Sequence, residues 1–191
     1  MKKYTGTNYQ NKIITIPNIL SFFRIALIPV IVWAYCVMKD QWFTIAVLML
    51  SGATDVVDGI IARKCNMISD FGKAIDPIAD KLTQAAVLCC LVSRFPRMLL
   101  PLGVLVVKEV SAGIMSLLSI RKSGKVEGAA WHGKITTVLL YSVMALHILW
   151  PTIPYGTSDL LIGVVTGMMM FSAIGYGIRH VKVLTKKKTQ D

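Results

Sequence analysis

Apolar residues in this chain do not alternate with polar ones; they run in blocks. Six stretches, roughly 19–38, 42–62, 73–93, 98–119, 134–150 and 158–178, stand out. Each is close to the about 20 residues an α-helix needs to cross a hydrocarbon core about 30 Å thick. Proline and polar residues interrupt them, as in Phe95-Pro96-Arg97 before the fourth and Pro151-Thr152-Ile153-Pro154 after the fifth. A helix satisfies its own backbone hydrogen bonds in lipid, so the pattern predicts an all-α integral membrane protein with six transmembrane helices. Residues 1–17, ending in Ile13-Ile14-Thr15-Ile16-Pro17, read as an interfacial juxtamembrane segment. Residues 18–182 read as one six-helix domain, and 183–191 as a basic tail containing Lys186, Lys187 and Lys188.

Composition strengthens this picture. Hydrophobic residues fill 54% of the 191 positions and charged residues only 16%, with a mean hydropathy of +0.61. A soluble domain carries about 25% charged residues, so this chain has too little polar surface to coat a globule in water. The net charge of +11 alone would suit nucleic acid. Its basic residues, however, fall in short clusters between apolar runs, which suits an anionic membrane face; the bilayer is the expected partner and nucleic acid is not.

The same clusters predict orientation. Lys2, Lys3 and Lys12; Arg63, Lys64 and Lys73; Arg121, Lys122, Lys125 and Lys134; and Arg179, Lys182 and the lysine tail all fall on one side. Only Lys39, Arg94 and Arg97 fall on the other, so both termini are expected in the cytoplasm of a multi-pass protein of the cell (inner) membrane. No Ala-x-Ala-like site follows the first apolar run, which argues against a cleaved signal peptide. Cys36, Cys65, Cys89 and Cys90 form no CxxC pair, and three of them lie in apolar runs, so neither a disulfide framework nor a zinc site is expected.

Against this background the acidic residues stand out. Asp55, Asp58, Asp76, Asp80 and Glu109 fall inside apolar spans. A carboxylate at the centre of a spanning helix costs at least about 2.5–3.5 kcal/mol, so a cluster of them implies a compensating partner. Asp55 and Asp58 are three residues apart and Asp76 and Asp80 four apart, so each pair shares a helix face. Asp55 precedes Arg63 by the same interval at which Asp80 follows Gly72, which places both about 12 Å from the connecting loop. Antiparallel packing of spans two and three then predicts one tetra-carboxylate cluster. Four neighbouring carboxylates cannot all ionise without cations, and two hard divalent ions, Mg²⁺ or Mn²⁺, suit such oxygen ligands. Gly52, Gly59 and Gly72 suit close helix packing or close approach to a phosphate, and Gly59 with Arg63 would hold a pyrophosphate beside the metals.

Written out, these residues are Asp55-x2-Asp58-Gly59-x2-Ala62-Arg63-x8-Gly72-x3-Asp76-x3-Asp80. This run is similar at every position to the signature of the CDP-alcohol phosphotransferase family, and the six spans extend the resemblance over essentially the whole chain. Ile16 through Arg24 and Asp76-Pro77-Ile78-Ala79-Asp80-Lys81 look most like its phosphatidylglycerophosphate synthase and cardiolipin synthase branch. The resemblance implies that Asp55, Asp58, Asp76 and Asp80 ligate two divalent cations and that Asp80 is the catalytic base. It implies further that Asp58, Gly59, Ala62, Arg63 and Gly72 bind CDP, and that the protein acts as a homodimer with its active site facing the cytoplasm. The implied reaction moves the phosphatidyl group of CDP-diacylglycerol onto glycerol 3-phosphate and releases CMP.

Basic residues near the inner ends of spans four and five suit a phosphate-bearing alcohol acceptor. Lys134 is the first candidate ligand for that phosphate, with Arg121, Lys108 and Arg24 beside it; Lys122 and Lys125 serve equally well as topology signals. Lys108 precedes Glu109 where phosphatidylglycerophosphate synthases tend to carry arginine, so cardiolipin synthase, which uses phosphatidylglycerol, is the alternative. A cation-coupled transporter would also bury carboxylates, but it would predict an inverted repeat and interrupted spans at corresponding positions, which the chain lacks. His132, His147 and His180 show no ligand spacing and read as surface or packing residues.

Overall fold

A computed structural model describes residues 15–64, 70–123 and 131–186; residues 1–14 of the expected interfacial segment, Cys65, Lys125, Lys187 and Lys188 lie outside the described residues. Every element described is helical. Helix α1 spans Ile16–Trp33 and passes into a π-helical turn, Ala34–Met38. Then follow α2 (Gln41–Lys64), α3 (Asp70–Val92), a 3₁₀ turn (Pro96–Met98), α4 (Leu99–Ser123), α5 (Trp131–Leu149) and α6 (Tyr155–Lys186). Among the described residues, three stretches are long and apolar enough to cross a membrane: Pro17–Met38, Gln41–Ile61 and Tyr155–Gly175; Gly133–Leu149 is a shorter apolar helix. The chain is a multi-pass membrane protein. In each of the three long stretches only a minority of the residues are buried against protein, which leaves most of the apolar surface for lipid.

The chain divides into two compact units, Met1–Cys90 and Leu91–Asp191. In the first, Thr15 caps α1 by accepting from the Asn18 N–H at 3.4 Å, and Pro17 enters the first turn, where its missing N–H costs nothing. The π-helical turn ends at Lys39, whose positive φ of 54° reverses the chain. Asp40 then caps α2 by accepting from the Phe43 N–H at 3.0 Å. The turn folds α2 back along α1. Buried positions follow the helical period: Ser21, Arg24, Leu27 and Ile31 on α1, Ala34 at the start of the π-helical turn, and Thr44, Val47, Leu48, Ser51 and Asp58 on α2. The opposite faces carry exposed Phe22, Trp33, Trp42 and Met49, as lipid-facing surfaces should. Gly52 has open space where a side chain would stand, so among the described residues no helix packs closely against it.

In the second unit, α6 packs against both α4 and α5. Its core comprises Met98, Leu105, Leu140, Met144, Ile148, Ile162, Val165 and Met169. Arg97 and Asp159 form an ion pair that ties the start of α4 to the start of α6. Close by in the sequence lies a buried histidine with both ring nitrogens engaged. His147 Nδ1 meets the Val143 carbonyl at 2.8 Å and Nε2 meets Ser158 Oγ at 3.0 Å. A backbone carbonyl can only accept, so Nδ1 carries the proton and the Ser158 hydroxyl donates to Nε2. Phe95 stands edge-on to the ring at 4.8 Å. His147 is a packing residue, as its sequence context suggests.

Candidate active site

The polar residues of the first unit converge because α1, α2 and α3 each turn one charged stripe inward. On α1, Ser21 and Arg24 are three residues apart on the stripe that also carries Leu27 and Ile31. On α2, Asp58 continues the Thr44–Ser51 stripe at seven-residue intervals. On α3, Asp76 and Asp80 lead into buried Thr83, Gln84 and Val87.

Arg24, only 1% exposed, reaches both carboxylates of α2: Nη1 contacts Asp55 Oδ1, and Nη2 donates to Asp58 Oδ2. Asp58 is 3% exposed and Asp55 is 47% exposed, so one carboxylate closes the site and the other opens it. The Ser21 hydroxyl donates to Asp76 Oδ1, and its Oγ also lies 3.1 Å from the Pro17 carbonyl oxygen. Asp80 Oδ2 accepts from Gln84 Nε2 at 2.9 Å and lies 3.3 Å from Lys81 Nζ. Lys81 also donates to Gln84 Oε1 at 3.3 Å. Asp76 and Asp80 both act electrostatically on Asp55, and Asp76 on Asp58, so the two pairs share one field.

With all four carboxylates ionised, Lys81 matches Asp80, and one guanidinium, in contact with Asp55 and Asp58, is left against the charges of Asp55, Asp58 and Asp76. That leaves an excess of two negative charges beside apolar surface, where like charges repel strongly. The donor set, carboxylate and hydroxyl oxygens with no sulfur or imidazole, is the chemistry hard divalent cations take. In this arrangement no three carboxylate, imidazole or thiol groups among the described residues stand close enough to clasp one ion. Arg24 is the cation that Asp55 and Asp58 hold here. Its buried Nε has no hydrogen-bond partner, and Nη1 touches Asp55 without hydrogen-bond alignment, so two donors point where an anionic oxygen would complete them.

The other predicted positions divide by unit. Gly59 follows Asp58 in α2, and Gly72 is buried in the first turn of α3. Ala62 and Arg63 belong to the last turns of α2, with side chains outside the described residues. Lys108, Arg121 and Lys134 belong to the second unit, on α4, α4 and α5. Lys108 pairs with Glu109 at 3.5 Å and lines an apolar cavity of about 640 Å³ between α4 and α6, with Gly103, Ser111 and Ile174. Lys134 is exposed, and the Arg121 side chain is not among the described ones. Sequence reasoning missed Ser21 and Gln84. Their signal is positional: Ser21 lies one turn before Arg24 and Gln84 one turn after Asp80 on the same faces.

A family model described as CDP-alcohol phosphatidyltransferase matches residues 14–177, which include α1 through most of α6 and every carboxylate above. The chain belongs to the CDP-alcohol phosphatidyltransferase family. Among its relatives, the Bacillus subtilis protein named CDP-diacylglycerol–glycerol-3-phosphate 3-phosphatidyltransferase is 32% identical over 149 residues, 69% of this chain and 77% of that protein. An Arabidopsis thaliana protein of the same name, numbered 2, is 38% identical over 92 residues, 46% of this chain and 39% of the relative. A Streptomyces coelicolor protein named cardiolipin synthase (CMP-forming) is 40% identical over 98 residues, 48% of this chain and 44% of the relative. The chain thus spans less than half the length of several curated relatives it matches.

Proposed function

We propose that this protein is a CDP-diacylglycerol-dependent phosphatidyltransferase that makes a phosphatidylglycerophosphate product from glycerol 3-phosphate and releases CMP. The observation that carries this reading is buried Arg24 holding Asp55 and Asp58, with Asp76 and Asp80 of α3 acting electrostatically on Asp55, in a chain of this family. In the proposed reaction the acceptor hydroxyl attacks the β-phosphorus of CDP-diacylglycerol, the bond to the CMP oxygen breaks, and CMP leaves. Asp80 accepts the hydroxyl proton, with Gln84 and Lys81 fixing its orientation. Asp55, Asp58, Asp76 and Asp80 would hold two divalent cations, Mg²⁺ or Mn²⁺, and such ions would supply positive charge against the pyrophosphate and the leaving oxygen. Asp58, Gly59, Ala62, Arg63 and Gly72 bind the CDP moiety, and Lys134, Arg121, Lys108 and Arg24 are the candidates for the acceptor phosphate.

The same reading proposes six transmembrane helices in one domain over residues 18–182, flanked by the juxtamembrane segment 1–17 and the basic tail 183–191. It puts both termini and the active site on the cytoplasmic side of the cell (inner) membrane, in a homodimer. The Streptomyces coelicolor relative supports a second acceptor, phosphatidylglycerol, in a cardiolipin synthase reaction. Detergent-purified protein incubated with CDP-diacylglycerol and Mg²⁺ separates the two readings. CMP release that needs glycerol 3-phosphate supports the first; release with phosphatidylglycerol alone transfers the assignment to the second. Silence with both acceptors would remove both.

A further inference from the structure

The described helices bring together two thiols that sequence spacing keeps 54 residues apart: the Cys36 S–H donates to Cys90 Sγ at 3.8 Å. Cys36 is exposed and sits in the π-helical turn Ala34–Met38, a local widening of the helix that re-aims side chains and recurs at functional positions. Cys90 is buried near the end of α3. The approach follows from helix register. Ser21 on α1 meets Asp76 on α3, and Cys36 and Cys90 lie 15 and 14 residues further along. At about 1.5 Å per residue these intervals are about 22 and 21 Å, so α1 and α3 run parallel and stay matched from one contact to the next. The thiols also lie within a turn of the polar reversals at Lys39-Asp40 and Ser93-Arg94.

We propose that Cys36 and Cys90 form a redox modification site that takes small disulfide oxidants and closes to an intrachain disulfide joining α1 to α3. The Cys36 thiolate attacks one sulfur of the oxidant, forming a mixed disulfide and expelling one thiolate. The Cys90 thiolate then attacks the Cys36 sulfur and expels the second. Two protein thiols and one disulfide become one protein disulfide and two small thiols, and the two protons released are taken up by the departing thiolates. Exposed Cys36 is the entry sulfur and buried Cys90 the resolving one. The link would join, at one end, the two helices that carry Arg24 and Asp80 towards the other.

The full chain in detergent, treated with oxidised glutathione, quenched in acid and alkylated with N-ethylmaleimide, tests this by peptide mass spectrometry. The expected result is a Cys36–Cys90 linked peptide and a thiol titre lowered by two per chain. Cys89→Ser keeps the link, whereas Cys90→Ser leaves glutathione on Cys36. Stable glutathione on Cys36 in the unsubstituted chain, or a link through Cys89 in place of Cys90, would overturn the proposal. Because the unsubstituted chain gives the decisive readout, a variant that fails to fold does not remove the test.

Discussion

The two compact units bury polar groups in opposite ways. In the second, His147 lies inside the protein with both ring nitrogens satisfied by neutral partners, Val143 and Ser158, and its ring face covered by Phe95. The network is closed and asks for nothing further. In the first, Arg24 is as deeply buried but faces two carboxylates, leaves Nε without a partner, and stands in a field with an excess of acid. A polar group in apolar surroundings is tolerated when its hydrogen bonds are complete and is costly when they are not. Closure in one unit therefore marks architecture, and incompleteness in the other marks the place where a ligand would contribute.

This contrast can be broken or sharpened by experiment. The largest effect is expected from Asp80→Asn, which keeps the shape and removes the proposed base: CMP release should fall by about 100-fold or more. Chelation of divalent ions should abolish release to a similar degree, and Mg²⁺ or Mn²⁺ should restore it. Arg24→Met leaves Asp58 buried without its cation; thermal unfolding in detergent should show a loss of about 3 kcal/mol, with Arg24→Lys recovering part of it. His147→Ala should cost about 2 kcal/mol by the same assay while KM and kcat of the folded protein stay unchanged. The smallest effect is Lys134→Ala: a rise of about 3- to 10-fold in the acceptor KM, corresponding to about 0.7–1.4 kcal/mol, with the KM for CDP-diacylglycerol unmoved.

The helices were legible because lipid demands long apolar runs: α1 to α5 coincide with the first five apolar stretches to within a few residues, and three described stretches are long and apolar enough to cross a membrane. Their ends were less so. The sixth helix continues to Lys186, because basic residues extend a helix into the interface without interrupting its backbone bonds. The first changes its winding at Ala34, which no residue type in Ala34-Tyr35-Cys36-Val37-Met38 announces. The carboxylates and Arg24 were visible because a charge in a spanning helix is expensive enough to need a reason. Ser21 and Gln84 escaped notice because uncharged polar side chains cost little in a helix and their partners are set by packing. The Cys36–Cys90 approach depends on the parallel register of α1 and α3, which sequence spacing cannot carry.

The most direct test of the contrast is a side-by-side assay of CMP release from CDP-diacylglycerol and glycerol 3-phosphate by the unsubstituted protein, Asp80→Asn and His147→Ala, each normalised to folded protein. The account predicts that Asp80→Asn loses about 100-fold or more while His147→Ala keeps the turnover of the unsubstituted protein. Full turnover by Asp80→Asn, or an equal loss in both variants, would contradict it.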